Sequence, residues 1–273
     1  MIELGEVIRI ALIALAVWLS VVWVCGALYV AISYVAAAAV VPRRPLRSLL
    51  RAVLRESWLV LWTQPLLLWF QFFGRRLGSG GGGVPVVLVH GYFQNRVDFL
   101  YLAHRLRAAG SGPLYACNFF WPQSLERSSA RVRAFVEEVR SETGSTAVDL
   151  LTHSTGGLFA LDIVAEEPHV VRRAALIALP ARGVPWRGPV LGRAGSQLRA
   201  GSLYQTKRSA RVQGTPVISI YSEHDNIVHP VQTSRLDGTS VTNVQISGPG
   251  HLSVLFDHRV GDAVCDFLLG RRR

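Results

Sequence analysis

The sequence predicts an α/β domain, with a mostly parallel sheet covered by helices on both faces, behind two helices that associate with a membrane. Three observations lead to this prediction. Residues 10–41 carry no charge, residues 43–55 place arginines along one side of a helix, and residues 78–83 are almost all glycine. After them, short β-branched runs alternate with stretches of helical spacing, which is typical of parallel sheets.

The composition is that of a folded protein with an apolar excess. Of the 273 residues, 50% are hydrophobic and 17% are charged, which excludes a disordered or collagen-like chain. The net charge is +11, but no basic run is interleaved with aromatic residues as in nucleic-acid modules. An anionic lipid surface, and not nucleic acid, is therefore the expected partner. The arginine-rich and alanine-rich composition is typical of a bacterial protein and favours a bacterial inner membrane.

The first predicted helix is long enough to cross a bilayer. A helix over residues 10–41 would reach about 48 Å, against about 30 Å for the hydrocarbon core, so one tilted span that protrudes at one end fits. A cleavable signal peptide is the alternative, because the alanines at 36–39 resemble a cleavage site. Glu3 and Glu6 precede the first arginine, and the apolar stretch is longer than in signal peptides. An uncleaved anchor is therefore favoured.

The second predicted helix is basic and amphipathic. Arg47, Arg51 and Arg55 recur every four residues opposite aliphatic residues, as expected for a helix at the level of the lipid headgroups. Residues 57–73 follow as an apolar stretch with three interruptions. They either lie in the interface, which we favour, or cross the membrane a second time. The positive-inside rule puts the arginines in the cytoplasm, so the rest of the protein is cytoplasmic in the first case and exported in the second.

The predicted boundary between domains is a Gly-rich linker at residues 78–83. It separates a membrane-anchoring helical region, residues 1–77, from a folded domain, residues 84–273. The β-branched runs of that domain lie at 84–89, 114–119, 147–151, 175–179, 216–221 and 241–246. Apolar residues at helical spacing occupy 97–109, 124–142, 156–166 and 258–269. Because helices separate successive strands, we expect parallel pairing.

The strongest chemical signal follows the third predicted strand. There the sequence Thr-His-Ser-Thr-Gly-Gly leads into a helical pattern and places Ser154 at the apex of a tight turn. Gly156 and Gly157 give the room that a strained turn needs, and the helix N-terminus brings backbone N–H groups near the hydroxyl. This resembles the nucleophile elbow, G-x-S-x-G, of the α/β-hydrolase superfamily, although Thr152 stands in place of the first glycine.

A second motif resembles the oxyanion strand of bacterial triacylglycerol lipases and esterases. Residues 85–92 form an apolar run that ends in His90, Gly91 and Tyr92. The resemblance implies that the backbone N–H groups of Tyr92 and Thr155 form the oxyanion hole, while the side chain of His90 is structural.

The acid and the base should follow the serine, as they do in this superfamily. After the fifth predicted strand, Asp225 lies in a segment that resembles the acid loop D-x-x-V-x-P, with Glu223 as the less favoured candidate. His251 follows the sixth predicted strand and resembles the catalytic histidine. His229 lies inside the acid loop, and we expect it outside the reacting set. The resemblance thus implies a triad of Ser154, Asp225 and His251.

The resemblance covers residues 84–270 and implies an α/β-hydrolase catalytic domain. The implied activity is that of a serine esterase or lipase that cleaves lipid or other acyl esters drawn from the bilayer. No metal site or organic cofactor is expected for this chemistry. Two alternatives stay open: an inactive membrane scaffold of the same fold, and an acyltransferase or thioesterase with the same triad. The oligomeric state is not predicted.

Residues 181–215 lie where this superfamily often inserts a lid. They contain basic residues and no acidic ones: Arg182, Arg187, Arg193, Arg199, Lys207, Arg208 and Arg211. Either this is a solvated basic face, or it contacts anionic lipid headgroups beside the cleft.

Overall fold

The computed structural model describes residues 4–67, 74–186, 188, 190–206 and 212–271. Its helices are α1 Leu4–Ala37, α2 Leu46–Thr63, α3 Leu100–Ala108, α4 Leu125–Thr143, α5 Gly156–Glu166, α6 Gly192–Gln197, α7 Leu203–Thr206 and α8 His258–Leu269. Its strands are β1 Arg76–Gly78, β2 Val86–Val89, β3 Leu114–Cys117, β4 Val148–His153, β5 Val171–Ile177, β6 Val217–Ser222 and β7 Val241–Ile246.

The strands form one sheet in the order β1-β3-β2-β4-β5-β6-β7. Neighbours from β3 to β7 are parallel, and β1 pairs antiparallel with β3 at one edge. After β1 at the edge, the chain enters the interior of the sheet at β2, moves outward to β3 and then returns to the other side of β2 at β4. In open parallel sheets, sites form outside the carboxyl ends of the strands at such a reversal. The end of β4 is therefore the place to look for chemistry.

The predicted α/β architecture is confirmed in its strands and helices. All six predicted strands and all four predicted helices of the domain are present, with ends shifted by a few residues. The sheet has one strand that was not predicted, β1. Its three residues fall at the end of the predicted anchoring region and the start of the predicted linker. Its Arg76 pairs with Tyr115. Further along the linker, Gly81 donates to the carbonyl of Ser111 over 2.9 Å, so the Gly-rich segment is hydrogen-bonded to the domain instead of hanging free.

The core has two layers, one on each face of the sheet. Alternate residues of β2 face opposite sides: Val87 and Val89 pack in one layer, and Val86 and Leu88 pack in the other. The first layer includes buried residues of α4 and α5, and the second includes buried residues of α3 and α8. Because both faces of the sheet are covered, β2, β3 and β6 are buried along their whole length, whereas β7 at the sheet edge is only partly buried.

Two helices at the N-terminus form a hairpin that packs on the domain. By length and composition, α1 is the one helix of the described residues that could cross a membrane, with a mean hydropathy of 2.5 over its 18-residue window. A Cβ added at Gly26 would lie 2.3 Å from Cγ1 of Val60, so α1 and α2 approach closely. The buried residues of α1 all lie near its C-terminal end: Val30, Ser33, Tyr34 and Ala37. That end is therefore the part of α1 that docks on the protein.

The second helix differs from its prediction in one respect. The sequence predicts a basic helix followed by a separate apolar stretch that begins at residue 57, whereas α2 runs through this point without a break to Thr63. Its buried residues, Glu56, Ser57 and Thr63, lie in the apolar stretch or next to it. Residues 68–73, the last part of the predicted interfacial helix, lie outside the described residues.

Candidate active site

Ser154 lies in the tight turn between β4 and α5. Its φ of 52° is in the left-handed region, which non-glycine residues adopt rarely and at an energetic cost. The turn is held by the Ser154 N–H, which donates to the carbonyl of Ile177 over 2.8 Å. A Cβ added at Gly156 would lie 2.3 Å from the carbonyl oxygen of Val89, so the helix can start this close to β2 only with glycine there.

Thr152 departs from the elbow motif without disturbing the turn. Its side chain is fully buried, and a Cβ added at Gly157 would lie 3.3 Å from its hydroxyl oxygen. The absence of a side chain at residue 157 thus leaves the space that threonine occupies.

The three predicted side chains lie in one hydrogen-bonded line. Nε2 of His251 is 3.0 Å from Oγ of Ser154, and Nδ1 of His251 is 2.8 Å from Oδ2 of Asp225. They follow β4, β6 and β7, so three carboxyl ends of one sheet bring them together. Oδ1 of Asp225 accepts the N–H groups of Ile227 and Val228 over 2.8 Å each, which fixes the orientation of this buried carboxylate.

The charge of the site raises the pKa of its histidine. Burial disfavours the charged imidazolium of His251, but the negative charge and hydrogen bond of Asp225 and the charge of Glu56 outweigh that cost. The pKa of His251 therefore lies above its ordinary value of 6.5. Such a ring is a stronger base than a free imidazole.

The two predicted oxyanion donors are neighbours. The Tyr92 N–H donates to the hydroxyl oxygen of Thr155 over 3.3 Å, so it points at the residue that follows Ser154. A Cβ added at Gly91 would lie 2.8 Å from the Cβ of Ser154. Glycine at residue 91 therefore allows the loop after β2 to approach the elbow.

The other candidates from the sequence do not join this line. His90 stacks on Phe119 with ring centroids 4.2 Å apart, and burial lowers the pKa of its imidazole to about 4. Glu223 lies 3.6 Å from Nδ1 of His224 and makes no hydrogen bond to His251 among the described residues. His229 is buried near the site, and burial lowers the pKa of its imidazole.

Sequence reasoning missed His153, to which the motifs assign no role. This residue is fully buried. Its ring lies between the loop after β2 and the histidine loop, by which we mean residues 247–252 after β7. Its Nε2 donates to the carbonyl of His251 over 2.9 Å, and its Nδ1 lies 2.7 Å from Oε1 of Gln94. Burial holds the pKa of His153 well below its ordinary value, and the hydrogen bond of its ring supports the backbone of His251.

Sequence reasoning also missed the contacts of the N-terminal hairpin with the acid loop and the histidine loop. Asn226, directly after the acid, accepts the N–H of His251 over 2.9 Å and donates to Oγ of Ser33 over 2.6 Å. The carboxylate of Glu56 accepts the two N–H groups directly after His251. These partners are more than 190 positions apart in the chain, so no local pattern could have indicated them.

An aromatic cluster lies beside the oxyanion donors. The ring of Trp121 contacts Tyr92 and Phe93, with centroids 5.1 and 4.4 Å away. The Tyr92 hydroxyl donates to the carbonyl of Leu191 over 2.6 Å, which ties the loop after β2 to the segment before α6. Large apolar side chains are exposed on these segments and on α7: Phe93, Phe120, Leu191 and Leu203.

The predicted basic segment is partly described. Arg182 donates to the carbonyl of Gln232, and Arg199 donates to the carbonyl of Gly188 over 2.7 Å, so these two guanidiniums have partners within the domain. The remaining basic residues, apart from Arg193, lie outside the described residues: Arg187, Lys207, Arg208 and Arg211.

The first half of the domain is similar in sequence to lipases. A family model for class 2 lipases matches residues 83–172. Over 107 residues the chain is 34% identical to a triacylglycerol lipase of Pseudarthrobacter phenanthrenivorans, covering 36% of this chain and 34% of that protein. A triacylglycerol lipase of Burkholderia plantarii is also 34% identical over 107 residues, with 36% and 30% covered. The chain thus spans about a third of the length of these curated relatives.

Solved structures share the fold across most of the domain. Lipase B of Aspergillus fumigatus superposes with a TM-score of 0.59 at 19% identity, covering 69% of this chain and 53% of that one. Est1E of Butyrivibrio proteoclasticus gives a TM-score of 0.55 at 16% identity, covering 71% and 89%. The predicted α/β-hydrolase fold is therefore confirmed. The resemblance to bacterial lipases is confirmed for residues 83–172, a segment that contains Ser154 but neither Asp225 nor His251.

Proposed function

We propose that this chain, an α/β-hydrolase by fold, is a membrane-anchored serine hydrolase that cleaves carboxylic esters of lipids through an acyl-enzyme. The observation that carries the proposal is the hydrogen-bonded line from Ser154 Oγ through His251 to Asp225, with distances of 3.0 and 2.8 Å. This is the arrangement in which a serine hydroxyl becomes a nucleophile.

The proposed reaction has two halves. In the first, His251 accepts the hydroxyl proton as Oγ of Ser154 bonds to the ester carbonyl carbon, while Asp225 holds the ring and stabilises the imidazolium. The N–H groups of Tyr92 and Thr155 donate to the resulting oxyanion, and the oxyanion replaces the Thr155 hydroxyl as the acceptor for Tyr92. The imidazolium then protonates the departing alkoxide, and the acyl group stays on the serine.

Water completes the second half. His251 takes a proton from a water molecule as its oxygen attacks the acyl carbonyl, and the same two N–H groups hold the second oxyanion. When this intermediate collapses, the imidazolium returns its proton to Ser154 and the carboxylic acid leaves. Each turnover consumes one ester and one water and restores the starting protonation of the site.

Two observations support a lipid ester as the substrate. The curated relatives of residues 83–172 are triacylglycerol lipases, and the oxyanion side of the site carries exposed apolar side chains, including Phe93 and Leu191. An exposed apolar rim favours acyl chains or a lipid surface over a soluble polar ester.

Two observations support the membrane anchor. The 18-residue apolar window of α1 has no buried part, so a bilayer is the environment that would cover it. Along α2, large apolar side chains are exposed every four residues: Leu46, Leu50, Leu54, Trp58 and Trp62. A helix with such a stripe beside basic residues is typical of the headgroup level.

Labelling with a fluorophosphonate tests the proposed nucleophile. We expect the detergent-solubilised full chain to gain one phosphonyl group, and Ser154→Ala to gain none and to lose at least roughly a thousand-fold in hydrolysis of triacylglycerol and short-chain esters. Ser141→Ala, an exposed serine on α4, is the matched control and should label like the wild type. A folded wild-type protein that neither labels nor hydrolyses any ester contradicts the proposal.

A further inference from the structure

Glu56 is a buried acid at the junction of the N-terminal hairpin and the candidate site. Only 2% of its surface is exposed, although it lies on a helix whose opposite side is open. Its Oε2 accepts the N–H of Leu252 over 2.9 Å, and its Oε1 accepts the N–H of Ser253 over 2.8 Å. These are the first two residues after His251, so the carboxylate holds the backbone that carries the base.

The surroundings of Glu56 suit a carboxylate. Besides the two N–H groups, the Ser253 hydroxyl donates to it, while that hydroxyl accepts the N–H of Gly250 over 2.9 Å. An ionised carboxylate only accepts hydrogen bonds, so it satisfies all three donors. Burial is the largest influence on this group and raises the pKa of Glu56 above its ordinary value of 4.5, while the three hydrogen bonds and the charge of His251 offset part of that rise.

Gly250 shows how closely the hairpin fits the histidine loop. A Cβ added there would lie 2.5 Å from the hydroxyl of Tyr34, 2.7 Å from Oδ1 of Asn226 and 2.8 Å from Oε1 of Glu56. The first helix, the acid loop and the second helix therefore converge on the residue before His251. A tether that only holds the domain near a bilayer needs no such fit.

We propose that Glu56 is a positioning residue for His251: its buried carboxylate fixes the backbone after the base and places a second negative charge beside the imidazole. This inference rests on the proposed hydrolase function, because it assigns a role towards the same base. It makes the membrane-associated hairpin a part of the active centre, since α2 supplies the carboxylate from outside the α/β domain.

Other charged and titratable groups face this pair from several elements, and any test must keep them unchanged. Those near the imidazole of His251 are Asp225 and His229 of the acid loop and His153 of β4. Those near Glu56 are Tyr34 of α1 and Arg44 of the turn before α2. Of these, Asp225 makes the direct hydrogen bond to the ring. The effect of Glu56 on the acid limb must therefore be measured in a protein that keeps Asp225.

The test is the pH profile of Glu56→Gln, which keeps the shape and removes the charge. We expect kcat to fall by roughly ten- to a hundred-fold with KM nearly unchanged, because the base is misplaced while substrate binding is not. The acid limb of kcat/KM should move to lower pH by roughly half a unit or more, because the negative charge that favours the imidazolium is gone. Glu137→Gln, the same change on the exposed face of α4, should leave both unchanged.

The outcomes separate this inference from the proposed function. A wild-type protein that hydrolyses esters, together with a folded Glu56→Gln whose acid limb stays at the wild-type pH, overturns the inference and leaves the hydrolase intact. If Glu56→Gln melts below the assay temperature, Glu56→Asp decides. It keeps the charge but loses the reach to both N–H groups, so we expect a reduced kcat with a nearly wild-type acid limb. A wild-type kcat in Glu56→Asp overturns the inference.

Discussion

At the residue scale, the proposed reaction depends on the protonation of His251. The base must be neutral to accept the proton of Ser154. Burial favours the neutral ring, but the nearby carboxylates outweigh burial and raise the pKa of His251 above 6.5. As the pH falls through this raised pKa, the ring gains a proton and the hydroxyl loses its acceptor. The activity should therefore be low in mildly acidic solution.

The profile of kcat/KM against pH measures this directly. With a soluble short-chain ester, we expect an acid limb centred above pH 6.5 and a plateau on its alkaline side. Asp225→Asn should lower kcat by about a thousand- to ten-thousand-fold and move the limb to lower pH, since it removes the main charge that favours the imidazolium. Asp262→Asn, a partly exposed change on α8, serves as the control. A wild-type limb below pH 6.5 would contradict the raised pKa.

The sequence is sufficient to predict residues whose position depends on the end of a strand. Ser154, Asp225 and His251 each follow a predicted β-branched run, and the topology of the sheet then brings them together. Glu56 and His153 have no such signal. Glu56 lies on an amphipathic helix whose basic residues predict a contact with lipid, and not a contact with the histidine loop. The role of His153 depends on a hydrogen bond to a residue that is distant in the sequence.

At the element scale, the fit between α1 and α2 depends on one glycine. Gly26 leaves the space in which the side chain of Val60 lies, and the resulting close approach sets how the hairpin presents α2 to the domain. The same hairpin carries Ser33 and Glu56 to the acid and base loops. Separating the two helices should therefore disturb the candidate site as well as the hairpin.

Gly26→Ala tests this coupling. The added Cβ would lie 2.3 Å from Cγ1 of Val60, and we expect overpacking to destabilise the protein by about 1–3 kcal/mol. The readout is fluorophosphonate labelling that survives heating in detergent. Adding Val60→Ala should restore much of the loss, because it removes the clashing methyl group. Gly5→Ala is the matched control, since a Cβ there meets nothing within 4 Å. Equal heat resistance of Gly26→Ala and Gly5→Ala would refute the coupling.

The elements differ in how far sequence could predict them. Strands β2 to β6 are rich in buried apolar residues because both faces of the sheet are covered, and β7 at the edge is β-branched but only partly buried. These patterns are visible without a structure. Strand β1 has only three residues at the sheet edge, too few to show a period, and it lies where glycines suggest a linker. The packing of α2 on the domain could not be predicted from sequence either, because an amphipathic helix can turn its polar side to solvent or to a protein surface.

At the scale of the whole molecule, the proposed membrane anchor predicts where the candidate site lies relative to a bilayer. Residues 4–29 of α1 precede its first buried position and would span about 39 Å, more than the roughly 30 Å of a hydrocarbon core. Beyond them, the C-terminal end of α1 docks beside the acid loop. At the end of α2, Gln64 donates to the carbonyl of Phe93, which connects the exposed stripe of that helix to the apolar rim of the site. We expect acyl chains to enter from this side.

The same arrangement favours one membrane topology. Five arginines follow the long apolar helix: Arg43, Arg44, Arg47, Arg51 and Arg55. For the proposed membrane-spanning α1, the positive-inside rule predicts these arginines in the cytoplasm and the N-terminus outside. A second crossing by residues 57–73 would pull the end of α2 away from the domain. It would break the hydrogen bond from Asn95 to the carbonyl of Thr63 and the contacts of Glu56. The catalytic domain should therefore lie on the cytoplasmic side.

Reporter fusions at the C-terminus test this topology in bacterial cells. We expect a green fluorescent reporter after residue 273 to fluoresce and an alkaline phosphatase reporter at the same place to be inactive, because the phosphatase needs export to form its disulfides. The same phosphatase behind a cleaved export signal shows that it can fold in those cells. An active C-terminal phosphatase would mean that residues 57–73 cross the bilayer. Glu56 would then have to leave the histidine loop, so that single result would also remove the basis for its positioning role.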